Sequence, residues 1–163
     1  MATETELRRH RCCFTGHRTQ GFKRPEEAIK EDLERAIQLA IEDGYTTFIT
    51  GMAYGVDLIA AEIVLRLQER NPDLHLIAAI PFEGVEQKWR AEWRERYKKV
   101  RSKADAIRII NQYPIEDAYK NRNHWMVDHC SRLIAVYNGR PSGTKSTIMY
   151  ARSRFVPIVY ICA

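Results

Sequence analysis

The sequence predicts an α/β fold: a doubly wound, mostly parallel sheet with helices on both faces. Short apolar runs rich in Ile and Val alternate with longer segments whose apolar residues recur at helical spacing. Strands that alternate with helices imply right-handed crossovers, which give parallel pairing and cover both faces of the sheet. At 163 residues and 45% apolar content, the chain suits one domain over 1–163. Residues 1–10, which are polar and basic, are expected to be flexible.

Six short apolar runs are predicted to form the strands of this sheet. They cover residues 12–15, 46–50, 74–80, 105–110, 132–137 and 156–161. Runs of this composition are typical of strands that are buried on both faces of a parallel sheet.

Five helices are predicted between and after these strands. They cover residues 25–43, 56–69, 85–102 and about 117–130, with a last helix that begins near Thr144. Pro25 suits the first turn of the first helix, and Gly44 suits its C-terminal end. The helix at 56–69 is apolar around most of its circumference, so we expect it to be well buried.

Composition indicates a soluble, cytoplasmic protein. The first residues contain no apolar segment, and no later stretch approaches the roughly 18 apolar residues of a membrane span. The four cysteines show no CxxC spacing, and Cys12 is adjacent to Cys13, which suits neither a disulfide scaffold nor a zinc site. We interpret the cysteines as reduced thiols.

Positive charge is concentrated in residues 88–103. This segment holds eight basic residues and only Glu92 and Glu95 as acidic ones, so it is more positive than the whole chain, whose net charge is +5. It could bind nucleic acid through phosphate contacts, or it could be an ordinary solvated helix face.

Aromatic residues recur at every fourth position in the same segment, as Trp89, Trp93 and Tyr97. Aromatic rings among cations can stack on the bases of single-stranded nucleic acid. The same spacing, extended by Val85 and Val100, also marks a buried helix stripe. The sequence leaves both interpretations open.

Three loops that contain glycine follow predicted strands. FTGHR (14–18) covers the end of the first strand, TGMAYGVD (50–57) follows the second, and NGRPSGT (138–144) follows the fifth. In open parallel sheets, ligands bind outside the carboxyl ends of the strands, near the point where the strand order reverses. We therefore expect the three loops to converge on one pocket.

Nine loop residues are predicted to bind a phosphorylated ligand. They are Gly16, His17, Arg18, Gly51, Gly55, Asp57, Asn138, Gly143 and Thr144. The glycines allow a ligand to approach the backbone, and Arg18 offers a planar fork of donors that matches phosphate oxygens. Helices that begin near Gly55 and Thr144 would supply free amides and a positive dipole end.

The polar members of this set have more specific interpretations. Asp57 could bond a ribose hydroxyl, or it could be a favourable carboxylate in the first turn of a helix. His17 could donate a hydrogen bond, and Asn138 could orient a base or a sugar. Neither GxGxxG nor GxxxxGK[ST] is present, which argues against a hydride-transfer enzyme or a kinase. A nucleotide or another phosphorylated metabolite is the expected ligand, with an ADP-ribose-like molecule as one candidate and no cofactor assigned.

The order of these motifs resembles the YpsA-like family of the SLOG superfamily, whose name joins the SMF/DprA proteins with the LOG proteins. The shared features are TGHR, TGMAYGVD, the IPF at 80–82 with Trp89 beyond it, the NxxxVDxC at 123–130, and the late GT. The resemblance covers nearly the whole chain. It implies a Rossmann-like domain that binds or senses a nucleotide or a nucleotide-derived ligand.

Two groups within the superfamily suggest alternative functions. LOG proteins are phosphoribohydrolases with a PGGxGTxxE motif; here Gly143 and Thr144 match its GT, but Thr147 stands at the position of the glutamate. Hydrolysis of a nucleotide or an N-glycosidic bond is therefore an alternative, with the catalytic residue unknown and Asp57 and Asp128 as candidates. DprA proteins bind single-stranded DNA, which is the second alternative, through the basic segment 88–103.

No metal site is assigned. His124 and Asp128 lie one turn apart on a predicted helix, as metal ligands can, but no third ligand shares their face. Helix packing, or a role for Asn123 and Asp128 near the ligand loops, is the preferred interpretation of these residues. The relatives imply self-association as a possible homo-oligomer, and no membrane partner is expected.

Overall fold

The computed structural model describes residues 1–163 and contains one sheet of six strands, in which every neighbouring pair is parallel. The strands are β1 (Arg11–Gly16), β2 (Thr47–Thr50), β3 (His75–Ile80), β4 (Ala106–Ile109), β5 (Arg132–Tyr137) and β6 (Ile158–Cys162). Their order is β4-β3-β2-β1-β5-β6. The chain builds outward from β1 to β4 and then returns to the other side of β1. The strand order therefore reverses between β1 and β5.

Six α-helices cover or flank this sheet. They are α1 (Glu4–Arg8), α2 (Glu26–Glu42), α3 (Val56–Gln68), α4 (Ala91–Lys103), α5 (Ala118–Asp128) and α6 (Gly143–Ser153). One apolar core packs α2, α3 and α4 on one face, and a second packs α5 and α6 on the other. The predicted doubly wound α/β fold is confirmed. None of these helices has the length and apolar character that crossing a membrane requires.

Side chains of β1 point alternately into the two apolar cores, so this strand contributes to both. Cys12 and Phe14 point into the core of α2 and α3, whereas Cys13 points into the core of α5 and α6. All four cysteines are free, and only Cys162 is exposed. Successive residues of a strand face opposite sides of a sheet, so a strand covered on both faces is apolar at every position.

The predicted helix at 85–102 begins later, at Ala91. The chain before it forms turns: Gly84 has a φ of +84°, the amide of Gln87 donates to the carbonyl of Gly84, and Arg90 is extended. Val85 is nevertheless buried in the same core as α4. The apolar spacing therefore continues through a segment that is not helical, which is why spacing alone placed the helix start too early.

The predicted strand at 105–110 forms β4, but it is not buried on both faces. All four of its residues are exposed, and Ile107 and Ile109 are each 40% exposed. β4 is the last strand on its side of the sheet, and none of its residues belongs to either of the two apolar cores that the helices form with the sheet. An edge strand can share the apolar composition of a central one and still face solvent.

The N-terminal segment, which we expected to be flexible, contains the short helix α1. Thr3 and Glu6 form a capping box, and Glu4 pairs with Arg11 at 2.5 Å. The Nε of Arg8 donates to the carbonyl of Cys130 at 2.7 Å, which anchors the helix to the chain before β5.

Gly16, at the end of β1, is required by packing. A Cβ on this residue would lie 2.6 Å from three side-chain atoms of Val56, the first residue of α3. By contrast, a Cβ on Gly143 would meet no atom within 4 Å. The same residue type thus permits close packing at one position and leaves open space at the other.

We expect Gly16→Ala to lower the free energy of unfolding by about 1–3 kcal/mol, because the new methyl group overpacks against a stiff, β-branched side chain. Gly143→Ala is the matched control and should change it by about 0.5 kcal/mol or less. Urea unfolding followed by circular dichroism measures both changes. Equal losses in the two variants would contradict the packing role of Gly16.

Candidate functional site

A cavity of about 420 Å³ opens at the carboxyl end of β1, beside the point where the strand order reverses. We call it the strand-end pocket. All three predicted loops contribute to its walls. Six of the nine predicted ligand residues line it: Gly16, His17, Arg18, Asp57, Gly143 and Thr144. The structure therefore brings together side chains that are more than 120 positions apart in the sequence, as the strand order implies.

Gly55 does not line the pocket. Its φ is +98° and its ψ is −134°, and a Cβ there would lie 2.7 Å from the Cα of Arg18 and 2.8 Å from the carbonyl oxygen of His17. The amide of Val56 donates to that same carbonyl at 3.3 Å. The glycine thus lets the first loop cap the N-terminus of α3, so the protein itself uses the first amide of this helix.

Gly51 is also enclosed by protein atoms. A Cβ there would lie 2.7 Å from Oδ2 of Asp57 and 2.9 Å from Nη1 of Arg122. The missing side chain makes room for these two charged groups, which themselves line the pocket. Gly51 therefore acts on the site indirectly, through Asp57 and Arg122.

Asn138 holds the first and third loops together. Its side-chain nitrogen donates to the carbonyl of Gly21 at 3.0 Å, and its side-chain oxygen accepts from the amide of Arg140 at 2.9 Å. Its backbone amide donates to Nε2 of His17 at 3.0 Å. Both ends of the side chain are occupied within the protein, and Asn138 lies outside the pocket walls.

His17 accepts this hydrogen bond through Nε2, so Nε2 carries no proton and the imidazole ring is neutral. Partial burial, with the charge of Lys23, lowers the pKa of His17, which favours the same neutral form. The ring stacks against Tyr137 with 5.8 Å between centroids. His17 therefore fixes the geometry of the pocket through Nε2, and only Nδ1 is left to meet a ligand.

Asp57 is the buried acid of the pocket. It is 6% exposed, and its Oδ2 accepts from the amide of Ala53 at 3.3 Å. Its Oδ1 is buried without any hydrogen-bond partner. A buried carboxylate oxygen that lacks a donor is costly, so a ligand that donates a hydrogen bond here would relieve that cost.

Arg122 lies beside Asp57 and was missed at the level of sequence. It is 5% exposed, lines the pocket, and donates through Nη1 to the carbonyl of Gly51. Ala118, Arg122 and Met126 are buried at every fourth position of α5. A charged residue within an otherwise buried stripe of a helix was the available signal.

Burial raises the pKa of the Asp57 carboxyl to about 6, against the opposing effects of Arg122, the Ala53 amide and Arg18. The group is thus partly protonated near neutral pH. Because its ordinary pKa is about 4, the folded state binds the proton more tightly than the unfolded state does. The contribution of Asp57 to the free energy of unfolding therefore falls as the pH rises from about 4 to about 6.

The N-terminus of α6 forms the opposite wall. Ser142 caps the helix by accepting from the amide of Lys145 at 3.2 Å. The first amides of a helix have no partners within it, and they carry the positive end of its dipole. Gly143 is exposed and Thr144 is buried, and both line the pocket.

Asp128 lies away from the pocket. Its Oδ1 accepts from the hydroxyl of Tyr150 at 2.8 Å and lies 3.5 Å from Nε of Arg154. His124 stacks on the same tyrosine, with ring centroids 3.6 Å apart. Helix packing between α5 and α6 accounts for both residues. Asn123, on the same helix, does line the pocket.

The basic segment 88–103 is divided between two environments. Three of its cations pair with acids: Arg96 with Glu62, Lys98 with Glu95, and Arg101 with Glu83. Of the three aromatic residues in this segment, two are buried in the core: Trp93 is 8% exposed and Tyr97 is 1% exposed. Trp89 is half-buried and precedes α4.

We expect the free energy of unfolding of Asp57→Asn to increase by about 2 kcal/mol relative to that of the wild type as the pH rises from about 4 to about 7.5, because the variant no longer ionises a buried group. Urea unfolding of both proteins at the two pH values measures this change. Asp73→Asn, on an exposed turn, controls for the loss of one negative charge. A difference in unfolding free energy between Asp57→Asn and the wild type that does not vary with pH would contradict the raised pKa of the buried Asp57 carboxyl.

Comparison with known proteins connects this geometry to a family. The model of the YspA SLOG family (YpsA) matches residues 12–155. The UPF0398 protein of Bacillus thuringiensis (strain Al Hakam) is 32% identical over 130 residues, which are 78% of this chain and 71% of the relative. The UPF0398 protein of Bacillus cereus (strain B4264) is 33% identical over 125 residues, which are 76% and 68% of the two chains.

Two solved structures share the fold. DNA processing protein A (DprA) from Streptococcus pneumoniae has a TM-score of 0.61 at 18% identity, over 94% of this chain and 50% of that one. DprA from Helicobacter pylori has a TM-score of 0.66 at 17% identity, over 96% of this chain and 66% of that one. The chain thus spans about half to two thirds of these larger proteins. The family match and the Bacillus relatives together show that this chain belongs to the YspA SLOG family.

Proposed function

We propose that the chain binds a nucleotide or a nucleotide-derived phosphorylated ligand in the strand-end pocket. The observation that carries this proposal is that Asp57, whose buried Oδ1 has no hydrogen-bond partner, lines the same cavity as Arg18 and the N-terminus of α6. Arg18 and the helix amides favour an anion, whereas Asp57 requires a hydrogen-bond donor. A ribose phosphate offers both groups within one molecule.

Inorganic phosphate fits this arrangement less well. It would satisfy the cation and the helix amides, but it would bring a second negative charge against the Asp57 carboxylate, whereas a ribose hydroxyl is a neutral donor. The pocket also has the volume of a small-molecule site, which usually measures several hundred Å³. The ligand class we propose is therefore a ribonucleotide unit.

The structural neighbours support this class. The H. pylori DprA is described as having a single-stranded DNA binding mode, and the S. pneumoniae protein as a DNA processing protein. Both names concern DNA, which is built from nucleotides. We also propose that this chain acts in the cytoplasm as a binding or sensing module, because free cysteines are typical of reducing compartments.

Hydrolysis of the bound ligand is the second candidate, and one observation favours it. Asp57 is a buried carboxyl in the pocket with a pKa of about 6, a value suited to general acid catalysis near neutral pH. Chromatography after incubation with AMP separates the two candidates. Recovery of intact AMP, under conditions where AMP stabilises the protein, supports binding without turnover, whereas release of adenine that Asp57→Asn abolishes would replace binding with hydrolysis.

We expect AMP or ADP-ribose at 100 times its dissociation constant to stabilise the wild type by about 2.7 kcal/mol in a thermal-shift experiment. Arg18→Ala should remove most of this stabilisation, because it removes the fork of donors for phosphate. Arg108→Ala, an exposed arginine on β4 outside the pocket, is the matched control. The absence of any shift in the wild type, or a full shift in Arg18→Ala, would overturn the proposed site.

A further inference from the structure

A second cavity, of about 960 Å³, adjoins the strand-end pocket. It lies between the first loop, Tyr54 of the second loop, and the turns that precede α4. We call it the aromatic cleft. Arg18 and Tyr119 line both cavities. A ligand that contacts Arg18 in one cavity is therefore within reach of the other.

The cleft is lined by five aromatic residues, namely Tyr54, Phe82, Trp89, Trp93 and Tyr119. Their rings are held in place by each other: Tyr54 meets Trp89 edge to face, with 5.3 Å between centroids, and Tyr119 meets Phe82 in the same manner at 5.9 Å. Trp89 is half-buried, and Tyr119 is 40% exposed. Partly exposed, fixed rings are the surfaces on which nucleic-acid bases stack.

Arg18 stands at the border of the two cavities, anchored to the cleft. Its guanidinium lies over the ring of Tyr54, 4.4 Å from the centroid, and its Nη1 donates to the Tyr54 hydroxyl at 3.2 Å. Gln20 donates to the same hydroxyl at 3.1 Å. One donor of the guanidinium is thus occupied, and an arginine has four more for a bound phosphate.

We infer that the ligand is a ribonucleotide joined through a pyrophosphate bridge to a second ribose, as in ADP-ribose: the bridge lies at Arg18, the second ribose lies at Asp57 in the strand-end pocket, and the base occupies the aromatic cleft. This inference rests on the proposed function, since it assigns the second half of the same ligand. The two cavities offer space for both ends of such a molecule, and a mononucleotide would fill only one of them.

Asp57 also separates this ligand from single-stranded DNA. A deoxyribose within a DNA strand has no free hydroxyl, because it lacks the 2′ hydroxyl and its two remaining hydroxyl groups are esterified to phosphates. Such a nucleotide brings no sugar donor to the unpartnered Oδ1 of Asp57, whereas a ribose does. The buried acceptor therefore favours a ribonucleotide.

Calorimetric titration with ADP-ribose and with ribose 5-phosphate tests this inference. The wild type should bind ADP-ribose at least about tenfold more tightly, because only ADP-ribose carries a base for the cleft. Trp89→Ala should weaken ADP-ribose binding by about 10- to 100-fold and leave ribose 5-phosphate binding unchanged. Tyr160→Ala, a partly exposed tyrosine on β6 outside both cavities, is the matched control.

Tyr119→Ala provides a second variant, since Trp89 also packs against the core and its loss could impair folding. Its ADP-ribose affinity should fall by about tenfold more than its ribose 5-phosphate affinity. Equal affinities of the wild type for the two probes, or unchanged ADP-ribose affinity in both variants, would show that the aromatic cleft does not bind the base. The strand-end pocket would remain the proposed site. Failure of both probes to bind would overturn the proposed function itself.

Single-stranded DNA is the third probe. Binding of an oligothymidylate of about ten nucleotides that Trp89→Ala weakens, without binding of ADP-ribose, would assign the aromatic cleft to a DNA strand and overturn the pyrophosphate-bridged ligand.

Discussion

The close packing of the first loop against the N-terminus of α3 determines the geometry of the whole site. Gly16 admits Val56, and Gly55 admits the backbone of His17 and Arg18, while the carbonyl of His17 accepts from the first amide of α3. These contacts leave little freedom at either loop. They place Arg18 and Asp57 in the walls of one cavity, although 39 positions separate them in the chain.

Burial then gives the cavity its chemistry. Asp57 and Arg122 are both almost completely buried, and each uses one atom to hold the loop between β2 and α3, at Ala53 and Gly51. What remains is one unpartnered carboxylate oxygen, beside an arginine and the open start of α6. A buried acceptor without a donor is costly, and a ligand hydroxyl would remove that cost, which is why the proposed ligand carries a hydroxyl as well as a phosphate.

Sequence patterns predicted the sheet, the loops and most of the pocket, because alternating strands and helices impose where strand ends meet. They could not distinguish glycines that face protein from glycines that face a ligand: Gly55 and Gly143 look alike in the sequence, but only the second leaves open space. The start of α4 was misplaced because Val85 packs into the core from a turn. Arg122 was missed because its partner is a backbone carbonyl far away in the chain.

The most direct test of this account is a crystal structure of the chain with ADP-ribose. We expect the pyrophosphate beside Arg18 and a ribose hydroxyl within about 3 Å of Oδ1 of Asp57. ADP-ribose bound elsewhere on the chain, or bound in the strand-end pocket with Oδ1 of Asp57 still unpartnered, would contradict it.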